Sequence, residues 1–218
     1  MFPIRNIVIL ISVVAFFTGC SSDEPSTASD FQFNMVTYTG MADGAIFSYQ
    51  AYDDSPEIIL RAADVKNVDM RIGQRTMMNY VVTGEATRNI RDISIRGVSH
   101  VLFDSLRMSS IDNINGYPNN PMQLKSIWRT GNFININCLL QYTGRPRQFA
   151  MIMDKDTWHE EIVDVYVIDN VMGAETYFYR KAYASFFVGN VWYLPTCRTL
   201  RVHLNVENYP EQYYDFSK

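Results

Sequence analysis

The chain has 218 residues, 19 of them basic and 23 acidic, for a formal net charge of −4. That balance excludes the broad positive footprint of a nucleic-acid binder, which neutralises phosphates with Lys and Arg, so no nucleic-acid partner is expected. Hydrophobic residues make up 47% and aromatics 14% of the chain, with 14 Tyr and 13 Phe, enough to build packed cores and biased toward strands.

Arg5 supplies a positive start, and the run from Ile7 to Phe17 is apolar apart from Ser12. It is too short to span a hydrocarbon core of roughly 30 Å, which takes about 20 apolar residues, and so reads as an export signal. The run ends in Phe17-Thr18-Gly19-Cys20, which resembles the lipobox of bacterial lipoproteins, with Phe17 where Leu is commoner. The resemblance implies a signal peptide over residues 1–19, cleavage before Cys20, and lipid on that cysteine as the link to a membrane. Each buried CH₂ contributes about 0.8 kcal/mol and stable anchoring takes more than one chain, so a multiply acylated Cys20 would hold the protein at the bilayer. Residues 20–30 continue as Ser21 to Asp30 (SSDEPSTASD), without apolar periodicity, and read as a flexible tether. A Gram-negative outer membrane is the expected location; the Ser-Ser-Asp-Glu start resembles acidic signals that carry some lipoproteins to its outer face, and the alternative is an ordinary solvated linker.

Downstream, short strands alternate with turns. Phe31 to Tyr38, Ala45 to Tyr52, Glu57 to Arg61, Arg75 to Thr83 and Asn89 to Val98 are separated by clusters such as Thr-Gly-Met-Ala-Asp-Gly and Asp53-Asp54-Ser55-Pro56. Five short strands in this span suit a small Greek-key barrel over residues 31–110. Ser109 to Asn120 (SSIDNINGYPNN) is dense in Asn, Gly, Pro and Ser and marks a boundary. Strands resume at Gln123 to Trp128. In Phe133 to Tyr142, Ile134, Ile136, Cys138 and Leu140 share one face; Arg147 to Met153, Ile162 to Ile168 and Glu175 to Phe187 follow. Leu200 to Val206 has the cleanest period of two. No segment holds a helical period over three turns, so residues 119–218 are expected to form an antiparallel β-sandwich domain. The tail from Tyr209 to Phe216 offers a docking segment or, more simply, a strand packed on its own domain.

These features together resemble the NigD-like lipoproteins. The local matches are Ile72-Gly73-Gln74-Arg75 running into Asn79-Tyr80, Met122 to Ile136 (MQLKSIWRTGNFINI), and Phe178-Tyr179-Arg180-Lys181-Ala182. The resemblance implies an all-β chain: an OB-like barrel followed by a β-sandwich. The matching motifs mark turns and strands, and the family's activity is uncharacterised, so no functional residue carries over. Its association with bacteriocins makes self-protection one implied role.

Little in the sequence points to chemistry. Among His100, His159 and His203, none has a second His or Cys at ligand spacing. His159-Glu160-Glu161 would need metal partners from elsewhere, and Asp112 to Gly116 lacks the acidic positions of a calcium loop. No metal or other cofactor is expected. No nucleophile elbow, phosphate loop or dinucleotide fingerprint is present. Asp53-Asp54 and Glu160-Glu161 are adjacent carboxylates that would diverge on a strand rather than face one substrate. A non-catalytic binding or accessory protein for an envelope protein or glycan is therefore expected, ahead of bacteriocin immunity or a hydrolase assembled from distant residues. OB-type barrels bind ligands on the face of strands 2 and 3, which places a ligand face at Phe47, Tyr49 and Tyr52, unless Phe47 and Tyr49 are barrel core. Cys138 and Cys197 are either bridged in an oxidising compartment or two separate thiols.

Overall fold

The computed structural model describes residues 31–84, 87 and 89–218. The expected signal segment 1–19 and the expected tether 20–30, Cys20 included, lie outside the described residues. Strands β1 (Gln32–Met41), β2 (Ala45–Tyr49), β3 (Ile58–Ala62), β4 (Arg75–Val82) and β5 (Ile90–His100) close into a barrel in the order β1-β2-β3-β5-β4. Neighbours are antiparallel except β3 and β5, which run parallel, giving the five-stranded Greek-key barrel of an OB-like domain. Tight closure at the β1–β2 turn needs a glycine: Gly44 has φ +135°, and a Cβ there would lie 2.4 Å from the Ala62 carbonyl oxygen.

Two strands of this barrel are buried on both faces. In β1 and β4 the even positions Val36, Tyr38, Met78 and Tyr80 fill the barrel with Phe47, Leu60 and Ile93. Met35 and Met77 point the other way, onto Val101, Trp128 and Tyr183. A step of one residue along a strand thus switches from barrel core to the contact with the second domain.

The second domain contains β6 (Leu102–Ser105), β7 (Arg107–Ser109), α1 (Ile111–Gly116), β8 (Gln123–Thr130), β9 (Phe133–Gln141), β10 (Gln148–Asp154), β11 (Ile162–Asn170), β12 (Tyr179–Phe187), α2 (Gly189–Trp192), β13 (Thr199–His203) and β14 (Tyr213–Ser217). Its strands form two sheets, β6-β12-β9-β8 and β14-β13-β11-β10-β7. Between them lie the residues that the period-two pattern marked: Ile134, Ile136, Cys138 and Leu140 against Met151, Val165, Leu200 and Val202. Transfer of such side chains out of water, at about 25 cal/mol per Å² of apolar surface, is the principal force joining the sheets.

The all-β barrel-plus-sandwich expectation holds, with differences of detail. The sandwich is mixed rather than purely antiparallel, because β6–β12, β7–β10 and β11–β13 are parallel pairs. Leu102 to Ser109 belongs to the sandwich and not to the barrel, so the chain crosses over after His100 rather than within Ser109 to Asn120. No local signal marks this crossover, since the partners of β6 and β7 are Ala184–Phe187 and Ile152–Asp154, far along the chain. The turn-rich segment instead carries α1, whose Ile114 packs on Ala150, Ile152 and Ile168. The tail supplies β14 and pairs with β13 of its own domain. Cys138 and Cys197 are separate buried thiols, and burial pushes the Cys138 thiol up to about 12. Among the described residues, no helix is long and apolar enough to cross a membrane.

Polar groups lock the domains together. Arg75 on β4 donates to Thr37 Oγ1 at 2.9 Å, Ser185 Oγ at 3.1 Å and Asn135 Oδ1 at 3.0 Å. Its guanidinium lies 4.3 Å from the Phe133 ring centroid. Burial without a carboxylate partner lowers its pKa to about 10. Arg129 at the end of β8 donates two bonds to Asp54, at 2.9 and 2.7 Å, and stacks over Trp192 at 4.2 Å. Gly131, in the β8–β9 turn, has φ +52° and sits against the Gln50 side chain, so a larger residue there meets both backbone strain and a steric block.

Candidate binding cleft between barrel and sandwich

The ligand face placed at Phe47, Tyr49 and Tyr52 does not come together. Phe47 is 2% and Tyr49 8% exposed, both in the barrel core, while Tyr52 is 67% exposed and stands apart from them. In so narrow a barrel the inward positions of β2 are needed as filling: the Phe47 ring packs 5.4 Å from Tyr38. The alternation that aligned Phe47 with Tyr49 was real, and the face they share is the inner one.

A cleft of about 740 Å³ opens instead on the side of the sandwich, under the end of β5. Its origin is incomplete edge cover. β6 pairs only with Ala184–Phe187 of β12, and β7 only with Ile152–Asp154 of β10. Beyond these short strands the sandwich is open, and Ser99, His100 and Leu102 of the crossover border the opening. The floor is apolar, from Leu102, Leu140 and Ala182, and the walls are cationic, from Arg145, Arg147, Arg180 and Lys181.

Strand pairing assembles this charge. Leu140 faces Arg180 and Gln141 faces Tyr179 across β9 and β12, so the Thr143-Gly144-Arg145-Pro146-Arg147 loop after β9 meets the start of β12. The pairing continues beyond the strands, with Tyr142 N–H donating to the Phe178 carbonyl at 2.8 Å and Tyr177 N–H to the Tyr142 carbonyl at 2.9 Å. The Tyr142 and Phe178 rings stack at 5.1 Å, and the Arg180 guanidinium lies 5.9 Å from the Tyr142 ring. Phe178 and Tyr177 are both exposed at this rim.

The four cations differ in role. Arg147 is fixed: it donates to Asp169 at 2.7 Å and to the Gln141 carbonyl. Asp169 is fully buried, and desolvation pushes its carboxyl up to about 6 against the opposing pull of Arg147. Arg145, Arg180 and Lys181 are exposed and have no ion-pair partner among the described residues. Three unneutralised cations around one cleft, in a chain of net charge −4, are a local concentration of positive potential over a floor of low dielectric.

The histidines are dispersed. His100 borders the cleft. His159 is exposed and contacts Trp158. His203 is not free on its polar face: it pairs with Asp164 at 2.6 Å and stacks on Tyr166 at 4.4 Å, beside the Arg201–Asp215 pair on the outer face of the sheet. Among the described residues, no group of three or more His, Cys, Asp or Glu side chains is placed to hold a metal ion. The cleft residues were visible in the sequence only as a turn and as part of a family-like strand. A basic cluster in the β9–β10 loop was the available signal, but its significance depends on Arg180 and Lys181 lying alongside.

Neither a sequence family nor a curated protein matches the chain. Solved structures do. A protein of unknown function from Bacteroides vulgatus is similar over 86% of this chain and 90% of its own, at 16% identity and a TM-score of 0.68. A NigD-like immunity protein from Bacteroides caccae aligns over 88% of this chain and 93% of its own, at 14% identity and a TM-score of 0.59. The chain shares the fold of a NigD-like protein. A candidate lipoprotein from Bacteroides fragilis gives the same result, with a TM-score of 0.59 at 10% identity over 86% of this chain and 96% of that one. The resemblance read from the sequence therefore holds at the level of the NigD-like fold, and the barrel-plus-sandwich arrangement is common to proteins whose sequences have almost fully diverged.

Proposed function

We propose that this is an exported, lipid-anchored protein of the bacterial envelope that binds a protein or glycan in the cleft between its two domains and does no covalent chemistry. The observation that carries this reading is the set of unpaired cations, Arg145, Arg180 and Lys181, around a cleft left open by short edge strands. Charges held without an internal counter-ion are suited to a ligand of opposite sign. The Phe17 to Cys20 motif and the fold shared with a candidate lipoprotein support anchoring through acyl chains on Cys20, and the acidic tether supports transfer to the outer membrane with display on the surface.

Cell fractionation tests the anchor: Cys20→Ala should move the protein from the outer-membrane fraction to the soluble one, and continued retention by that variant defeats the assignment. The cleft is tested in living cells with a photo-crosslinking residue in place of Tyr177, at the rim. A discrete adduct that disappears with Arg180→Glu supports the reading; an adduct unchanged by that substitution, or none, overturns it.

The shared fold of an immunity protein favours one second reading, interception of a toxin at the membrane. Deleting the gene would then sensitise cells to a toxin made by the same strain. Unchanged sensitivity excludes that role.

A further inference from the structure

We infer that the cleft receives an extended, acidic segment of a partner protein, which adds as a strand along the uncovered edge of β12. The inference rests on the cleft being the binding surface and states what kind of ligand it takes.

The edge is the first observation. Every residue of β12 from Tyr179 to Phe187 pairs with β9 on one side. On the other side β6 covers only Ala184–Phe187. Arg180, Lys181, Ala182 and Tyr183 all line the cleft. Successive residues of a strand point to opposite faces, so four in a row border one space only when that space abuts the strand's edge. The cleft therefore presents the outward N–H and C=O groups of Arg180 to Tyr183 to solvent, over about 13 Å for four residues. Unpaired ladder groups of this kind are a template for another strand.

The second observation is where the charges stand around that edge. Ala184 and Phe186 of β12 face the sandwich core, while Ser185 faces the barrel and meets Arg75. By alternation Arg180 lies on the core side, its guanidinium 5.9 Å from the Tyr142 ring, and Lys181 on the barrel side, its ammonium 4.9 Å from the Tyr183 ring, both lining the cleft. A strand laid along the edge has cations on both of its faces. Carboxylates at neighbouring positions would meet them, and the apolar floor of Leu102, Leu140 and Ala182 takes an aliphatic or aromatic residue between. An acidic polysaccharide would satisfy the charges but offers no backbone amides at strand spacing, so the free ladder favours a peptide. The sheet already shows the intended arrangement, since β6 occupies the lower half of the same edge in parallel register.

A random ten-residue peptide library displayed on phage, selected on the whole folded ectodomain, tests the inference. Enriched peptides should be rich in Asp and Glu among β-branched or aromatic residues. A synthetic peptide from the pool should bind at least tenfold more weakly to Arg180→Glu and to Lys181→Glu, which exposed positions should tolerate without unfolding. Methylating alternate backbone nitrogens of that peptide should abolish binding, because it removes the ladder donors without touching the protein. Enriched peptides without an acidic excess, no enrichment at all, or full binding by the methylated peptide each overturn strand addition. Polygalacturonate and phosphatidylglycerol vesicles serve as separate probes. If either binds with the same dependence on Arg180 and the peptides do not, the cleft remains the binding surface and the peptide inference falls. If no probe depends on Arg180, both fall together.

Discussion

Asn135 is the point at which the contact between barrel and sandwich should be most sensitive. It is fully buried. Its Oδ1 accepts from Arg75 Nη2 at 3.0 Å and from Ser185 Oγ at 2.9 Å, and its Nδ2 donates to Thr130 Oγ1 at 2.9 Å. Asn135→Leu keeps the side-chain size and removes all three bonds. A hydrogen bond to a charged group contributes about 1.5–3 kcal/mol and each neutral bond about 0.5–1.5. Leucine offsets roughly 1–2 kcal/mol of that through apolar burial, so the net loss should be about 3 kcal/mol. The cause can be separated from simple loss of contacts. Arg75 is a buried cation without a carboxylate, and stripping an acceptor from it costs more than removing the charge as well. Arg75→Met combined with Asn135→Leu should therefore be more stable than Asn135→Leu alone. Urea denaturation of the three variants measures this directly, provided the slopes agree. A loss below about 0.5 kcal/mol for Asn135→Leu, or a double variant weaker than the single one, would refute the account.

Other expectations follow from the same structure. Phe47→Ala should cost about 3–5 kcal/mol by emptying the barrel, and Tyr52→Ala less than about 0.5, so equal effects in thermal or urea unfolding would contradict the placement of these rings. Asp169 has its carboxyl raised by burial to about 6 from 3.8, so between those values the folded state binds more protons than the unfolded one. Its contribution to stability is therefore greatest in acid and falls as pH rises through about 6, by up to about 3 kcal/mol. Asp169→Asn should flatten that part of the stability–pH curve; an unchanged curve means that another group is responsible.

Where the apolar positions recur regularly, local pattern and structure agree. Ile134, Ile136, Cys138 and Leu140 stand at every second position, and all four lie in the sandwich core. The same logic leaves β2 open, because alternation identifies two faces without saying which is inside: Phe47 and Tyr49 share a face, and a barrel too narrow to hold anything else encloses it. β1 and β4 were harder still, since the barrel buries one face and the sandwich the other, so Met35 and Met77 are buried along with Val36 and Met78. β6 and β7 were illegible for a different reason. Short strands that pair in parallel with partners dozens of residues away leave no mark of their own.

By itself the chain determined the turns, the strand-rich composition and the faces of the long regular strands, because these depend on neighbouring residues and short periods. Tertiary structure decided the rest: which face of β2 is inner, where the chain leaves the barrel, and that Arg145 and Arg147 come to lie beside Arg180 and Lys181. Side chains more than thirty positions apart share a cleft only after β9 and β12 have paired and β6 has stopped short, and no local preference encodes where a neighbouring strand ends.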